Sequence, residues 1–259
     1  MPWLVGGVLL LFLALPLFAL SWRAIAHLDN LHSAGRTTVA DALVLSATTS
    51  LTSLVLIVGF GTPLAFGIAR RSFPGKSLLE TLIDLPMVLP PAVAGLALLM
   101  AFGRRGVLGT WLDDAGIRIG FTTTAVVFAQ LFVSSPFYVR SARAAFSRLD
   151  RTVEDAAADL GASPARVLRT VTLPLAAPGL MAGAVLAWAR AVGEFGATIM
   201  FAGNLPRETQ TLPLAIYGRY EAGDLDTALA MALILLASSF LVLVSVRGLG
   251  GRLRLSAAD

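Results

Sequence analysis

Two oppositely charged residues, Arg190 and Glu194, lie one helical turn apart in an otherwise apolar stretch of sequence. Charges inside a membrane are costly, and they usually face the interior of a helix bundle or a water-filled path. Because four residues separate them, the two side chains can neutralise each other on one helix face. The spacing therefore fits either a structural ion pair or a role on a polar pathway.

A second set of residues, Gly75-Lys76-Ser77, has the ending of a phosphate-binding loop. That loop requires G-x-x-x-x-G-K-S/T, and Arg70 stands where the first glycine is needed. We therefore predict a short turn after Pro74 and no nucleotide binding by this chain.

The residues that usually carry enzyme chemistry are missing or badly placed. There is no HExxH or GxSxG motif and no carboxylate cluster near the apolar stretches, and the chain has no cysteine. His27 and His32 lie five residues apart in a polar segment, where we expect them to be solvated. The sequence predicts no catalytic residue, no metal site and no cofactor bound by this chain.

The composition requires a membrane. The chain is 56% hydrophobic and 14% charged, with a mean hydropathy of +0.79, whereas soluble domains are roughly half apolar and a quarter charged. We predict an all-α polytopic membrane protein with about six transmembrane helices, since about 20 apolar residues cross a bilayer. The predicted spans are 3–22, 40–69, 82–103, 121–139, 175–203 and 225–246. No basic residue precedes the first span, which favours a retained helix over a cleaved signal peptide.

The distribution of basic residues predicts the orientation. Segments 70–81, 140–174 and 247–259 together hold 12 Lys/Arg, whereas the segments on the other side hold 7. Cytoplasmic loops carry the excess of Lys and Arg. We therefore expect both termini and the 140–174 loop to be cytoplasmic, and we explain the net charge of +4 by topology and not by a nucleic acid partner.

The 140–174 loop carries local signals for two short helices with a break between them. Thr152 with Asp155 predicts a capping box, and Gly161 predicts the end of the first helix. Ser163 followed by Pro164 predicts the start of a second helix, which we expect to end before Leu173-Pro174. The signals predict a rigid cytoplasmic bracket.

The same loop resembles the EAA loop of ABC importer permeases. In that family the pattern is E-A-A-x3-G-x9-I-x-L-P, and here Asp155-Ala156-Ala157, Gly161 and Val171-Thr172-Leu173-Pro174 match its spacing throughout. Asp155 replaces the glutamate and Val171 the isoleucine. The resemblance implies the fold of a type I ABC importer transmembrane domain, with one permease domain over residues 1–259.

In that family the first helix of the loop is the coupling helix, which sits in a groove on the ATPase subunit. Its small alanines permit close approach, and the acids and arginines around it offer charge partners. The resemblance implies an ATPase contact at Glu154, Asp155, Ala156, Ala157, Asp159, Gly161, Arg166, Leu173 and Pro174. Two other interpretations of the loop are a solvated charged helix and a DNA-binding helix-turn-helix. The glycine and proline signals disfavour the first, and tethering of the loop at both ends to membrane helices disfavours the second.

The end of the fifth predicted span resembles one group within this family. Residues 193–198, with the sequence GEFGAT, and 201–204, with FAGN, resemble molybdate, tungstate and sulfate permeases, most closely the molybdate branch. The likeness covers essentially the whole chain. It implies a multi-pass protein of the bacterial inner membrane that forms a homodimer, binds two ATPase subunits that carry ATP and Mg, and receives a small oxyanion from a soluble binding protein.

Alternating access in such a transporter needs hinges and groups that attract an anion. Gly59, Gly61 and Pro63 are predicted to interrupt the second span, and Pro86, Pro90 and Pro91 the third. Gly179 and Gly183 predict a small-residue packing face on the fifth span. Arginines of the outer loops could attract a dianion or a docking protein; they are Arg104, Arg105, Arg207 and Arg219.

A transporter that works alone is the main alternative. It would use intramembrane acids for proton or sodium coupling, and Glu194 is the single strong candidate for such an acid. Among oxyanions, sulfate and tungstate remain alternatives to molybdate, because tetrahedral anions differ more in size than in charge.

Overall fold

The computed structural model describes residues 2–26 and 33–255, and over these residues the chain is helical and contains no strand. The α-helices are α1 Pro2–Ala26, α2 Ser33–Arg70, α3 Lys76–Val88, α4 Pro91–Phe102, α5 Gly109–Asp114, α6 Thr123–Ser147, α7 Arg151–Asp159, α8 Pro164–Val167, α9 Leu173–Val192, α10 Gly196–Ala202, α11 Leu212–Glu221 and α12 Leu225–Leu255. A π-helical turn, Leu168–Thr172, joins α8 to α9. The predicted solvated pair His27 and His32 lies outside the described residues.

The predicted number of six spans is not confirmed. Among the described residues, three helical stretches are long and apolar enough to cross a membrane: Gly6–Ala26, Thr37–Arg70 and Pro164–Val192. A fourth results if α3 and α4 count as one span. Helix α6 has the length but carries Gln130, Arg140 and Arg143, and the apolar part of α12, Leu225–Leu241, is short.

The third predicted span, 82–103, is a broken helix. Helices α3 and α4 meet at an angle of 118° around Pro90 and Pro91, because a proline disfavours helical geometry in the residue before it. The predicted interruption is therefore confirmed at Pro90 and Pro91 and wrong at Pro86, which lies inside α3. The predicted interruption of the second span is wrong, since α2 continues through Pro63.

The fifth predicted span, 175–203, is displaced at both ends. It begins earlier, since Pro164–Val192 forms one helical stretch, and α9 stops at Val192 before a break. A short helix, α10, follows the break. The carbonyl of Phe201 in α10 accepts a hydrogen bond from the backbone of Phe121, so α10 is held beside the start of α6.

Small residues set the packing of α9 on α6. A Cβ atom added to Gly179 would lie 2.5 Å from Cβ of Ala145, and one added to Gly183 would lie 2.7 Å from Cβ of Ser141. Such distances leave no room for a side chain, so the two backbones approach closely, as in small-xxx-small interfaces of membrane helices. The predicted small-residue face of the fifth span is confirmed, with α6 as its neighbour.

Two compact units can be distinguished, and each has its own apolar core. One comprises the described residues up to Ser46 together with Gly203–Leu241, and its core is formed by Ala42, Leu212, Ala215 and Met231. The other comprises Ala47–Ala202 and the described residues 242–255. Its two core clusters are centred on α6.

Helix α1 presents apolar side chains to its surroundings. Leu10 and Phe12 are 69% and 70% exposed, and the one buried side chain among its described residues is Ala24. A helix that is apolar all round has to be covered by lipid or protein.

Candidate functional site

The 140–174 loop, called the coupling loop below, contains the well-formed helix α7. Asp150, in extended conformation, caps α7 by accepting a hydrogen bond from the backbone N–H of Thr152 at 3.0 Å. This hydrogen bond lowers the pKa of the Asp150 carboxyl below its ordinary value of 3.8. The predicted capping box at Thr152 and Asp155 is wrong, because α7 begins two residues earlier than that motif requires.

The end of α7 is the one that the sequence predicts. Gly161 has φ of 87°, a left-handed conformation that glycine adopts without steric cost. Its N–H bonds to the carbonyl of Ala158, and the N–H of Ala162 bonds to the carbonyl of Ala157. This pair of hydrogen bonds is a Schellman motif, which satisfies the last carbonyls of the helix.

The second part of the loop differs from the prediction. Helix α8 begins at Pro164 as expected, but Leu173-Pro174 does not end it. Instead, the chain widens into the π-helical turn Leu168–Thr172, where the N–H of Leu173 bonds to the carbonyl of Leu168. Because the π turn is wider, the proline ring fits at the start of α9 without breaking the helix. The bracket therefore continues directly into a membrane-spanning helix.

One face of α7 is free for a partner. The motif residues Asp155 and Ala156 are exposed, as is Asp159, while Ala157 is half-buried. Leu160, at the end of the helix, is 90% exposed and adds an apolar side chain to this surface. Gly161, Arg166 and Pro174 are also exposed, and Leu173 is half-buried.

Glu154 is different from the other predicted contact residues. Its Oε1 accepts hydrogen bonds from Nη2 of Arg70 at 2.6 Å and from Oγ1 of Thr172 at 2.7 Å. The side chain is 18% exposed. It therefore contacts other parts of this chain, whereas Asp155 and Asp159 are exposed. The role at the ATPase that the resemblance implies for these residues stays a prediction.

The Arg190–Glu194 pair forms as the spacing predicts. Nη2 of Arg190 lies 2.6 Å from Oε2 of Glu194, in an ion pair that is not aligned as a hydrogen bond. Glu194 is 1% exposed and sits after the end of α9, in the break. Its Oε1 accepts the backbone N–H of Ala197 at 2.7 Å, so the carboxylate also caps α10.

Arg104 and Arg105 are exposed residues beside a short helix, α5, that the sequence analysis missed. Nε of Arg104 lies 3.2 Å from Asp113, and Nε of Arg118 lies 3.6 Å from the other oxygen of the same carboxylate. Asp113 thus offsets part of the positive charge that we expected in this loop.

The other two predicted arginines line a common cavity of ≈ 560 Å³. Arg207, with φ of 67°, pairs with Asp41 at 3.0 Å. Arg219 donates to Oγ1 of Thr38 at 2.6 Å and pairs with Asp224 at 3.3 Å. Burial opposes ionisation of Asp224, but hydrogen bonds from Thr227 and the charge of Arg219 outweigh it and lower the pKa. Each arginine therefore already faces a carboxylate.

Sequence reasoning missed Arg70 and Thr172 as partners of Glu154. Neither has a local signal, since 84 residues separate Arg70 from Glu154. It also missed a polar seam along α2, where Ser50 accepts from Nε1 of Trp188 at 3.0 Å and Ser53 donates to Gln130 at 3.1 Å. Serines three residues apart in an apolar helix are a signal of such interhelical hydrogen bonds.

Comparisons with known proteins show the family of the chain. The profile described as "Binding-protein-dependent transport system inner membrane component" matches residues 58–255. The "Molybdenum transport system permease protein ModB" of Mycobacterium bovis is 44% identical over 246 residues, which is 93% of this chain and 90% of that protein. The "Probable sulfate transport system permease protein cysT" of Nephroselmis olivacea is 35% identical, over 92% of this chain and 84% of that protein.

A solved structure shares the fold. It is the "bacterial alginate ABC transporter in complex with alginate pentasaccharide-bound periplasmic protein", with a TM-score of 0.69 and 18% identity over 96% of this chain and 94% of the matched chain. The predicted all-α membrane-domain fold of ABC importers is confirmed. The chain belongs to the family of inner-membrane permease components of binding-protein-dependent transport systems.

Proposed function

We propose that this chain is the permease subunit of an ATP-binding-cassette importer for a small tetrahedral oxyanion, molybdate, driven by ATP hydrolysis on a partner subunit. The observation that carries the proposal is the coupling loop, whose α7 keeps the motif residues Asp155 and Ala156 exposed. The similarity to a molybdenum permease over nearly the whole chain supports the substrate. The sulfate permease relative supports sulfate as the second candidate, and tungstate shares the same chemistry.

The ATPase contact is assigned to the exposed face of α7 and the residues that follow it. Asp155, Ala156 and Asp159 present small and acidic groups there, and Leu160 adds an apolar side chain. The small residue permits close approach of a partner, and the carboxylates can accept charge-assisted hydrogen bonds from its basic groups. ATP and Mg belong to that partner, and this chain is a transport subunit that binds no cofactor itself.

The remaining partners follow from the family. A soluble oxyanion-binding protein delivers the substrate, as the solved relative with its bound periplasmic protein supports. Two copies of this chain form a homodimer around the path, and each works as one permease domain over residues 1–259. Both termini and the coupling loop face the cytoplasm, as the distribution of arginines supports. Lipids surround the dimer, and no nucleic acid is involved.

The transport cycle uses the coupling loop as its mechanical input. When ATP closes the ATPase pair, the two α7 helices move together and the permease opens outward; hydrolysis returns it to the inward-facing state. The anion needs hydrogen-bonding or positive groups to replace its water. The ion pair of Glu194 with Arg190 and its hydrogen bond from the N–H of Ala197 support a structural role for this pair over a pathway role.

The test is uptake of labelled molybdate into vesicles that contain this chain with its ATPase, with the binding protein supplied outside. We expect uptake that requires ATP and both partners, that survives an ionophore, and that tungstate and sulfate inhibit to different degrees. Stronger inhibition by sulfate than by unlabelled molybdate would identify sulfate, and not molybdate, as the substrate. Uptake by this chain alone, driven by an ion gradient, would contradict the importer and favour a secondary transporter.

A further inference from the structure

Three helical elements meet at a single carboxylate oxygen. Oε1 of Glu154, on the coupling helix α7, accepts one hydrogen bond from Arg70 at the end of α2 and one from Thr172 in the π turn that leads into α9. The two donors lie 84 and 18 positions from Glu154 in the sequence. No other carboxylate among the described residues of α7 has such contacts, since Asp155 and Asp159 are exposed.

The cluster is shielded from water. The side chains of Arg70 and Glu154 are 13% and 18% exposed, and Thr172 is 2% exposed. Charge-assisted hydrogen bonds are about twice as strong as neutral ones, and low exposure limits their screening by solvent. The contact is therefore strong enough to hold α7 in one position on the permease.

Arg70 is itself held in place. Its guanidinium lies 5.9 Å from the ring centre of Phe66, which packs edge-on against the buried ring of Phe146. A second arginine, Arg151 at the start of α7, donates to the carbonyl of Arg70 at 3.4 Å. The end of α2 and the start of α7 are thus joined by two contacts, one from the side chain of Arg70 to α7 and one from the side chain of Arg151 to α2.

Thr172 connects the same carboxylate to the beginning of α9. It lies in the π turn, where the regular hydrogen-bond pattern of the helix widens just before Pro174. This is the point at which the loop becomes a membrane-spanning helix. A displacement of Glu154 pulls on Thr172 and on Arg70 together.

We infer that Glu154 is a positioning residue that transmits the movement of the coupling helix to α2 and α9 at once, and that it does not contact the ATPase. The inference rests on the proposed function, because it assigns α7 the role of mechanical input. The exposed face of α7 binds the partner, and the buried side, through Glu154, moves the membrane helices.

The first test needs no ATPase and no substrate. We would measure amide hydrogen exchange of residues 151–160 in the purified chain in lipid nanodiscs, for wild type and for Glu154→Gln, Thr172→Val and Thr172→Ser. Thr172→Ser keeps the hydroxyl and Thr172→Val removes it with little change of shape. We expect roughly tenfold faster exchange in Glu154→Gln and Thr172→Val, and wild-type exchange in Thr172→Ser.

The second test measures ATP hydrolysed per anion transported in the complete transporter. We expect Arg70→Gln and Glu154→Gln each to raise this ratio by about tenfold while hydrolysis itself stays within about twofold, and the double variant to resemble either single one. Arg71→Gln, which removes the neighbouring exposed charge, is the matched control and should leave the ratio unchanged.

The outcomes separate the two proposals. Unchanged hydrogen exchange in Glu154→Gln, or additive effects of the two substitutions on the ratio, would overturn the positioning role. A loss of ATP hydrolysis in Glu154→Gln would also overturn the positioning role, because such a loss would indicate that Glu154 contacts the ATPase directly. If wild type shows no ATP-dependent uptake, the importer proposal fails, while the exchange measurement still decides whether Glu154 holds α7.

Discussion

Two arginine–glutamate pairs within residues 47–202 have the same chemistry and different structural roles. Arg190 and Glu194 are four residues apart, whereas Arg70 and Glu154 are 84 residues apart, and both pairs have an N–O distance of 2.6 Å. The first pair stabilises a break between two consecutive helices. The second joins three elements that are distant in sequence.

The difference lies in what each carboxylate accepts besides the arginine. Glu194 takes the N–H of Ala197, three residues ahead, so that all its contacts are local. Glu154 takes the hydroxyl of Thr172 and so reaches the next membrane-spanning helix. A local pair can fix the shape of one segment, but only a long-range pair can transmit movement between segments.

The largest effect should come from Glu194→Ala, because this carboxylate is 1% exposed and its removal leaves Arg190 and the N–H of Ala197 without their partner. We expect a loss of about 3 kcal/mol in the free energy of unfolding, at the lower end for broken buried pairs because Arg190 is partly exposed. Denaturant unfolding of the purified chain in detergent measures it. Asp114→Ala, at an exposed acid, is the control and should change stability by less than about 0.5 kcal/mol. Equal stability of the two variants would contradict the structural role that we assign to Glu194.

Breaking the long-range pair, Arg70–Glu154, should lower the free energy of unfolding by a smaller amount. Both side chains of the Arg70–Glu154 pair keep some exposure, so we expect Glu154→Ala to lose about 2 kcal/mol of stability. A double-mutant cycle with Arg70→Ala should return a coupling of about 1 kcal/mol or more in the same unfolding measurement. A coupling near zero would show that the two residues stabilise the chain independently, and the contrast between the two pairs would then disappear.

A glycine at the end of α7 provides a smaller, purely local effect. Gly161 has a φ of 87° and open space where a Cβ atom would lie, so Gly161→Ala introduces backbone strain without a clash. We expect a loss of about 1 kcal/mol. Gly59→Ala also meets open space but lies inside α2, where alanine should stabilise by about 0.5 kcal/mol. Two effects of the same sign would contradict the Schellman ending.

The smallest effect concerns the cap of α7 and depends on pH. The N–H of Thr152 lowers the pKa of Asp150, so the cap is fully formed above the ordinary value of 3.8 and weakens as pH falls through the lower folded value. We expect the hydrogen-exchange protection of Thr152, corrected for the intrinsic rate, to decrease only in that acid range. Asp150→Asn retains a capping oxygen and should abolish the pH dependence. A constant protection in the wild type between neutral and acid pH would contradict the assignment of this cap.

Local signals predicted the site better than the path of the chain through the membrane. Gly161 and Pro164 act on their own backbones, so their signals predicted the end of α7 and the start of α8 correctly. Pro174 follows the same local rule and misled us, because a π turn accommodates its ring. The partners of Glu154 could not be predicted, since no pattern in one sequence relates Arg70 to the coupling loop.

The membrane spans show the same limit. Apolar runs predicted the three stretches that are long and apolar enough to cross a membrane, but not the 118° angle between α3 and α4 or the end of α9 at Val192. Those breaks depend on neighbours as well as on proline. At Gly196, a Cβ atom would lie 2.4 Å from Cβ of Pro91, so α10 and α4 pack in a way that only the folded chain reveals.

The most direct test of the central claim is ATP-dependent molybdate uptake in vesicles containing the complete transporter, with wild type compared with Ala157→Arg and Gly161→Pro. Both substituted positions lie in the coupling loop, outside the membrane-spanning helices. We predict that the wild type accumulates molybdate only with ATP, and that both variants insert normally and lose uptake. Undiminished uptake in both variants would contradict the account, because transport would then not depend on the coupling loop.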